Sequence, residues 1–196
     1  MHERGAVEAL GAAVPGQVAG YASRFGEGDR GGDVVVPGAF AQALRRLAAA
    51  GRRIAFLWQH DPARPIGVWD RVAEDGAGLR VEGRLLDGVQ AGREAAALMA
   101  AGAVDGLSIG YRVRRAEPIT RAGRRIGRRL IEIDLWEVSL VTFPMLPTAR
   151  ASLEAPRDGA GLAGALALAM RQARHTRPSP SGAPGQTSDH SKRDER

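Results

Sequence analysis

Gly106-Leu107-Ser108-Ile109-Gly110-Tyr111 sets one hydroxyl between two glycines inside an otherwise apolar, strand-like run. Glycine permits close approach by another chain or a substrate, so a serine held this way suits a nucleophile. A serine attacks only when a base takes its proton, and the base acts best when an acid orients it. His60, in Phe56-Leu57-Trp58-Gln59-His60-Asp61, supplies the base, and Glu137, in the run Asp134-Leu135-Trp136-Glu137-Val138-Ser139-Leu140-Val141-Thr142-Phe143-Pro144, supplies the acid. No short motif joins the three, so a fold must.

The choice of His60 is one of elimination. Of the four histidines, His2 lies in a leader and His175 and His190 lie at or within a polar tail, which leaves one imidazole for the body. A multi-histidine metal site is thereby excluded there. Strict strand alternation from Leu135 puts Leu135, Glu137 and Ser139 on one face and Trp136, Val138 and Leu140 on the other. A carboxylate flanked by large apolar groups is costly unless paired, and an imidazole N–H would serve. Asp61 and Asp134 are alternative orienting acids. Each residue also has a plainer role: a strand-end histidine bonded by Asp61, a turn or bulge serine, an edge carboxylate paired with arginine.

Composition removes other chemistries. The chain has 196 residues, enough for one domain with a proper core and a tail. It has no cysteine, which rules out disulfides, thiolate metal sites and a cysteine nucleophile. Apolar stretches are short and broken by Arg or Gly, so no membrane span and no signal peptide is expected, and a cytoplasmic location is the default. No cofactor or metal is indicated. The net charge of +6 comes almost wholly from arginine, Lys192 being the only lysine. Aromatics at 5% are too few for the base-stacking platforms of single-strand binders, which leaves nucleic acid an open partner and a solvated basic face the simpler reading.

The elements that must position these groups follow from periodicity. Residues 1–16 read as a loose leader, 17–24 as a first strand, and 34–36 as resumed extended structure after a Gly- and Asp-rich loop. Phe40, Ala43, Leu44 and Leu47 share one face of a helix that Gly51 stops. A buried strand over 53–59 precedes two alternating runs, 66–72 and 79–85, about the turn-forming 74–78. A second helix covers 90–101, closed by Gly102. Strand character returns over 104–115, a basic strand or hairpin covers 121–134, and a last strong strand covers 135–143. Many short strands with two helices between them predict a mainly β, α+β domain over 17–155, its sheet mostly antiparallel and closed into a barrel. An Ala/Leu-rich stretch over 162–174 predicts a third helix in 156–175, and 176–196 reads as a disordered tail.

Five blocks in order carry a family resemblance. Gly20-Tyr21-Ala22-Ser23; Gly32-Asp33-Val34-Val35-Val36-Pro37-Gly38-Ala39-Phe40; Trp58-Gln59-His60-Asp61 with Pro65-Ile66-Gly67; Gly106-Leu107-Ser108-Ile109-Gly110-Tyr111; and Glu137 through Pro144 together resemble the HK97-type prohead proteases of tailed phages, also found in gene transfer agents. The resemblance spans about residues 17 to 150. It implies a β-barrel wrapped by helices like that of the herpesvirus assembly proteases, with histidine at His60, serine at Ser108 and the third member at Glu137. It further implies a serine endopeptidase acting inside immature phage-like capsids during maturation. The implied substrates are scaffolding segments of the major capsid protein, free scaffold and the protease itself, with homodimerisation left open. The rival readings are a non-enzymatic capsid assembly factor that binds scaffold or nucleic acid, and a generic hydrolase of small esters or amides.

Overall fold

The structure, a computed structural model, describes residues 16–154. Those residues form β1 (Gln17–Arg24), β2 (Asp33–Val35), α1 (Ala41–Ala49), β3 (Ala55–Trp58), β4 (Asp61–Glu74), β5 (Gly78–Leu85), α2 (Gln90–Ala100), β6 (Gly106–Arg121), β7 (Arg124–Val141) and β8 (Ala151–Glu154). The expected mainly β, α+β class is what this chain adopts. The third helix and the tail fall outside the described residues.

The sheet runs β2-β7-β3-β4-β5-β1-β8, with β6 paired to β7. Its two free ends are sewn together by residues 149–151. Leu107 N–H donates to Ala149 O at 2.9 Å, Ala151 N–H to Asp105 O at 2.8 Å, and Tyr21 N–H to Arg150 O at 3.0 Å, so this segment lies between β6 and β1 and closes the barrel. Closure removes the unpaired edges that an open sheet would present. Most pairings are antiparallel, but β2 and β3 both run parallel to β7. That mixture follows from chain path: α1 carries the chain back across the sheet between β2 and β3, as parallel neighbours of one strand require.

The basic segment that alternation leaves ambiguous is the tip of one long hairpin. β6 and β7 pair from Gly106↔Val141 to Arg121↔Arg124, about a turn in which Ala122 and Gly123 both have positive φ. The two strands expected over 121–134 and 135–143 are thus the single strand β7. Phe40, Ala43 and Met99 carry α1 and α2 onto a core that includes Phe56, Ile66, Leu107, Val138 and Leu140. Trp69 stacks on Phe56 with ring centroids 3.8 Å apart and donates its indole N–H to Val138 O at 3.2 Å, fixing β4 against β7. Among the described residues no helix is long and apolar enough to cross a membrane.

Candidate active site

His60 sits in the tightest turn of the barrel. Trp58 pairs with Asp61, which leaves Gln59 and His60 as a two-residue hairpin loop between β3 and β4. Both have positive φ, 52° and 63°, the combination a type I′ turn requires and one that Asn-Gly normally supplies. A side chain in that region costs about 1–2 kcal/mol per residue, so surrounding bonds must hold the turn. They are present: Gln59 N–H donates to Leu140 O at 3.0 Å, its side-chain amide donates to Thr142 Oγ1 at 2.8 Å, and His60 N–H donates to Ser139 Oγ at 3.2 Å.

β6 and β7 supply the rest of the constellation. Ser108 pairs with Ser139 and Gly110 with Glu137, and because these positions are two apart on each strand, all four share one face. Glu137 is 4% exposed. Its Oε1 accepts from His60 Nδ1 at 2.6 Å and its Oε2 accepts from Ser139 Oγ at 2.6 Å. Gly110 is what makes room, since a Cβ there would lie 2.2 Å from Glu137 Oε1. At Gly106 a Cβ would lie 2.5 Å from Val141 O and 2.8 Å from Pro144 Cδ. The two glycines around Ser108 therefore accommodate the acid on one side and the chain turning away after β7 on the other.

The strict alternation expected along β7 fails at one residue. Gly110 pairs with Glu137 but Tyr111 pairs with Leu135, so Trp136 is the extra residue of a β-bulge. Adjacent residues on β6 face opposite ways, hence Leu135 turns inward beside Val138 and Leu140 while Glu137 and Ser139 keep the other face. Leu135 is buried in the core and Trp136 is 48% exposed.

Ser108 is 6% exposed, and its hydroxyl has no hydrogen-bond partner among the described residues. No buried side-chain oxygen or nitrogen lacks a partner, so the Ser108 hydroxyl reaches open space. Ser108 lines a cavity of about 300 Å³ together with Asp29, Asp33 and Arg128. The His60 ring, 44% exposed, bonds Glu137 through Nδ1 and leaves Nε2 free; it makes no hydrogen bond to Ser108. Cross-strand pairing puts Ser108 about 5 Å from Ser139 between Cα atoms, and Ser139 is the residue that takes the His60 backbone N–H.

The alternative acids are engaged elsewhere. Asp61 accepts the Ala63 N–H at 2.9 Å, and Asp134 is paired with Arg46 and Arg114.

Residues 4–160 match the family described as caudovirus prohead serine protease. The chain belongs to that family. A prohead protease of Enterobacteria phage HK97 is 36% identical over 126 residues, which cover 64% of this chain and 54% of that relative, so the chain spans about half the relative's length. Among solved structures, the bacteriophage T4 capsid assembly protease is similar at 15% identity and TM-score 0.49, over 64% of this chain and 80% of that one. The varicella-zoster virus protease is similar at 14% identity and TM-score 0.45, over 80% and 77%.

In this prohead protease family member, the Glu137 hydrogen bond raises the His60 pKa above its ordinary 6.5, with partial burial opposing and the Glu137 charge reinforcing the rise. Ser139 is the site residue that sequence reasoning misses. Its hydroxyl donates to the acid and accepts from the backbone of the histidine, binding the turn to the carboxylate. The available signal is the spacing Glu137-x-Ser139, which a strand converts into two polar groups on one face.

Proposed function

We propose that this chain is a serine endopeptidase with Ser108 as nucleophile, His60 as general base and Glu137 as the acid that orients the imidazole. One observation carries the reading: a buried carboxylate bonded at 2.6 Å to the sole imidazole of the described residues, one strand away from a serine hydroxyl with no internal partner. Bonding of Nδ1–H to Glu137 sets the tautomer, so that Nε2 is the atom that accepts a proton. In this reading substrate binding completes the approach of Nε2 to the Ser108 hydroxyl while Nδ1 stays on Glu137.

The chemistry is acyl transfer. The Ser108 Oγ–H proton passes to His60 Nε2 as Oγ bonds to the peptide carbonyl carbon, and the imidazolium then protonates the departing amine as the C–N bond breaks. Water, deprotonated by the same nitrogen, releases the acyl group and restores Ser108. Glu137 stabilises the imidazolium at both stages. The substrates in this reading are scaffolding segments of the capsid protein and this chain itself, enclosed within an immature shell where local concentration replaces tight binding.

A fluorophosphonate that labels serine nucleophiles tests the assignment. Labelling is expected in the wild-type chain, absent in Ser108→Ala, and slowed at least about 10²-fold in His60→Ala. Equal labelling of Ser108→Ala and wild type would refute it. Coexpression with a scaffold-bearing capsid protein then tests the substrate, which should remain at full length only with Ser108→Ala.

A further inference from the structure

The cavity beside Ser108 has a chemistry of its own. Three carboxylates, Glu27, Asp29 and Asp33, line it with one guanidinium, Arg128; Glu27 is paired with Arg24 at 3.9 Å, so the uncompensated charge is that of Asp29. The Arg128 fork is committed to Asp33, donating through Nε to Oδ1 at 2.8 Å and through a terminal nitrogen to Oδ2. Asp29 forms no ion pair among the described residues. Its Oδ1 accepts the N–H groups of Gly31 and Asp33, at 2.8 and 2.9 Å, and Oδ2 has no hydrogen-bond donor. Part of the lining is apolar, with Val35, Ile109 and Leu146. Ser108, a residue only 6% exposed whose hydroxyl has no partner among the described residues, lines this same space.

An aliphatic stem against apolar walls with a cationic end at a free carboxylate is how lysine and arginine side chains are accommodated. A volume of about 300 Å³ is at the small end for ligand cavities and suits one long side chain. The carbon that Ser108 attacks is bonded directly to the Cα bearing the side chain on the acyl side of the scissile bond. That side chain is therefore the one able to enter a cavity which Ser108 itself lines. Burial together with the charges of Asp33 and Asp29 pushes the Tyr111 hydroxyl to a pKa of about 12, consistent with a cavity that disfavours further negative charge.

We infer that this cavity is the specificity pocket for a basic residue, lysine or arginine, immediately preceding the cleaved bond, with the free oxygen of Asp29 as its counter-charge. The inference rests on Ser108 being the nucleophile and adds the substrate class.

Peptidyl diphenyl phosphonates that end in lysine, norleucine or glutamate, applied to the full chain, separate the two questions. The lysine probe is expected to label Ser108 about tenfold or more faster than the norleucine probe, and the glutamate probe slowest. Asp29→Asn keeps an oxygen to accept the Gly31 and Asp33 N–H groups. It should shrink the lysine advantage over norleucine to about threefold or less. Glu27→Gln, at the exposed rim, should shrink it by about twofold and serves if Asp29→Asn does not fold. Equal lysine and norleucine rates alongside normal fluorophosphonate labelling would overturn this inference alone, as would a lysine advantage that neither variant reduces. Failure of every probe, the fluorophosphonate included, would overturn the nucleophile assignment and this inference with it.

Discussion

Adding one methyl group at Gly110 tests whether Glu137 works through His60. A Cβ at that position lies 2.2 Å from Glu137 Oε1, 2.6 Å from Cγ and 2.7 Å from Cδ, whereas ordinary contact begins at 3.4 Å. The backbone has little freedom to absorb the difference, because β7 is held by β6 on one side and by β3 on the other. The side chain must give way by about 1 Å, which stretches a 2.6 Å bond to about 3.6 Å, beyond hydrogen-bonding range. An error of about 1 Å in placing a catalytic group costs on the order of 10²-fold. Gly110→Ala is therefore expected to lower kcat/KM by about 10²-fold at pH 8 while keeping a cooperative thermal transition. The decisive readout is the pH profile. Since the Glu137 bond is the first cause of the raised His60 pKa, the alkaline-going rise in kcat/KM should move down in pH toward 6.5 in the variant. A variant with unchanged rate and unchanged inflection would refute the reasoning. So would a slower variant with the wild-type inflection, because general distortion lowers rate without retitrating the histidine.

Two further outcomes follow from the same geometry. Ser139→Ala leaves one oxygen of a buried carboxylate without its donor and the His60 N–H without its acceptor, so a loss of about 1–3 kcal/mol is expected in denaturant titrations, with slower fluorophosphonate labelling. Wild-type stability should decline as pH rises. The His60 pKa is raised on folding, so its stabilising contribution is full below 6.5 and disappears as pH passes through the folded value, and thermal melts at pH 6 and pH 8.5 on His60→Ala should lack that component. Activity and this part of stability thus run in opposite directions with pH, since the base must be neutral to act.

How much of this was legible in the residues depends on how local each cause is. β1, both helices and β5 rest on periodicity and glycine stops, and their expected bounds lie close to those observed, whereas β4 begins at Asp61, five residues before the expected start. The side that Leu135 faces was not legible, because one extra residue at Trp136 inverts the alternation and nothing in an isolated strand marks a bulge. The short β8 owes its strand character to a partner, β1, that lies far off in sequence. The barrel seam at 149–151 is likewise a tertiary event. Elimination singled out His60, but its turn carries no sign of itself, since Gln59-His60 lacks the glycine or asparagine that a positive-φ pair normally uses.

That missing sign has a functional reason. A turn built from Asn-Gly would fold with less strain, yet it could not put an imidazole at the tip of the β3–β4 hairpin above Glu137. The strained pair is held by bonds that converge on β7: Gln59 to Leu140 and Thr142, His60 N–H to Ser139, and the His60 ring to Glu137. Two of these bonds end on the site itself, so the interactions that stabilise the turn are also those that orient the base. Ser108 belongs to β6, on the other side of β7, and is placed by the β6–β7 ladder, in which it faces Ser139, and by the Leu107 N–H bond to Ala149 O. The proposed base and acid, His60 and Glu137, are therefore prearranged as one unit and the proposed nucleophile, Ser108, as another. A peptide occupying the space over Ser108 would displace water from the exposed imidazole and favour the approach of the two units, which makes the substrate the last structural element of the site.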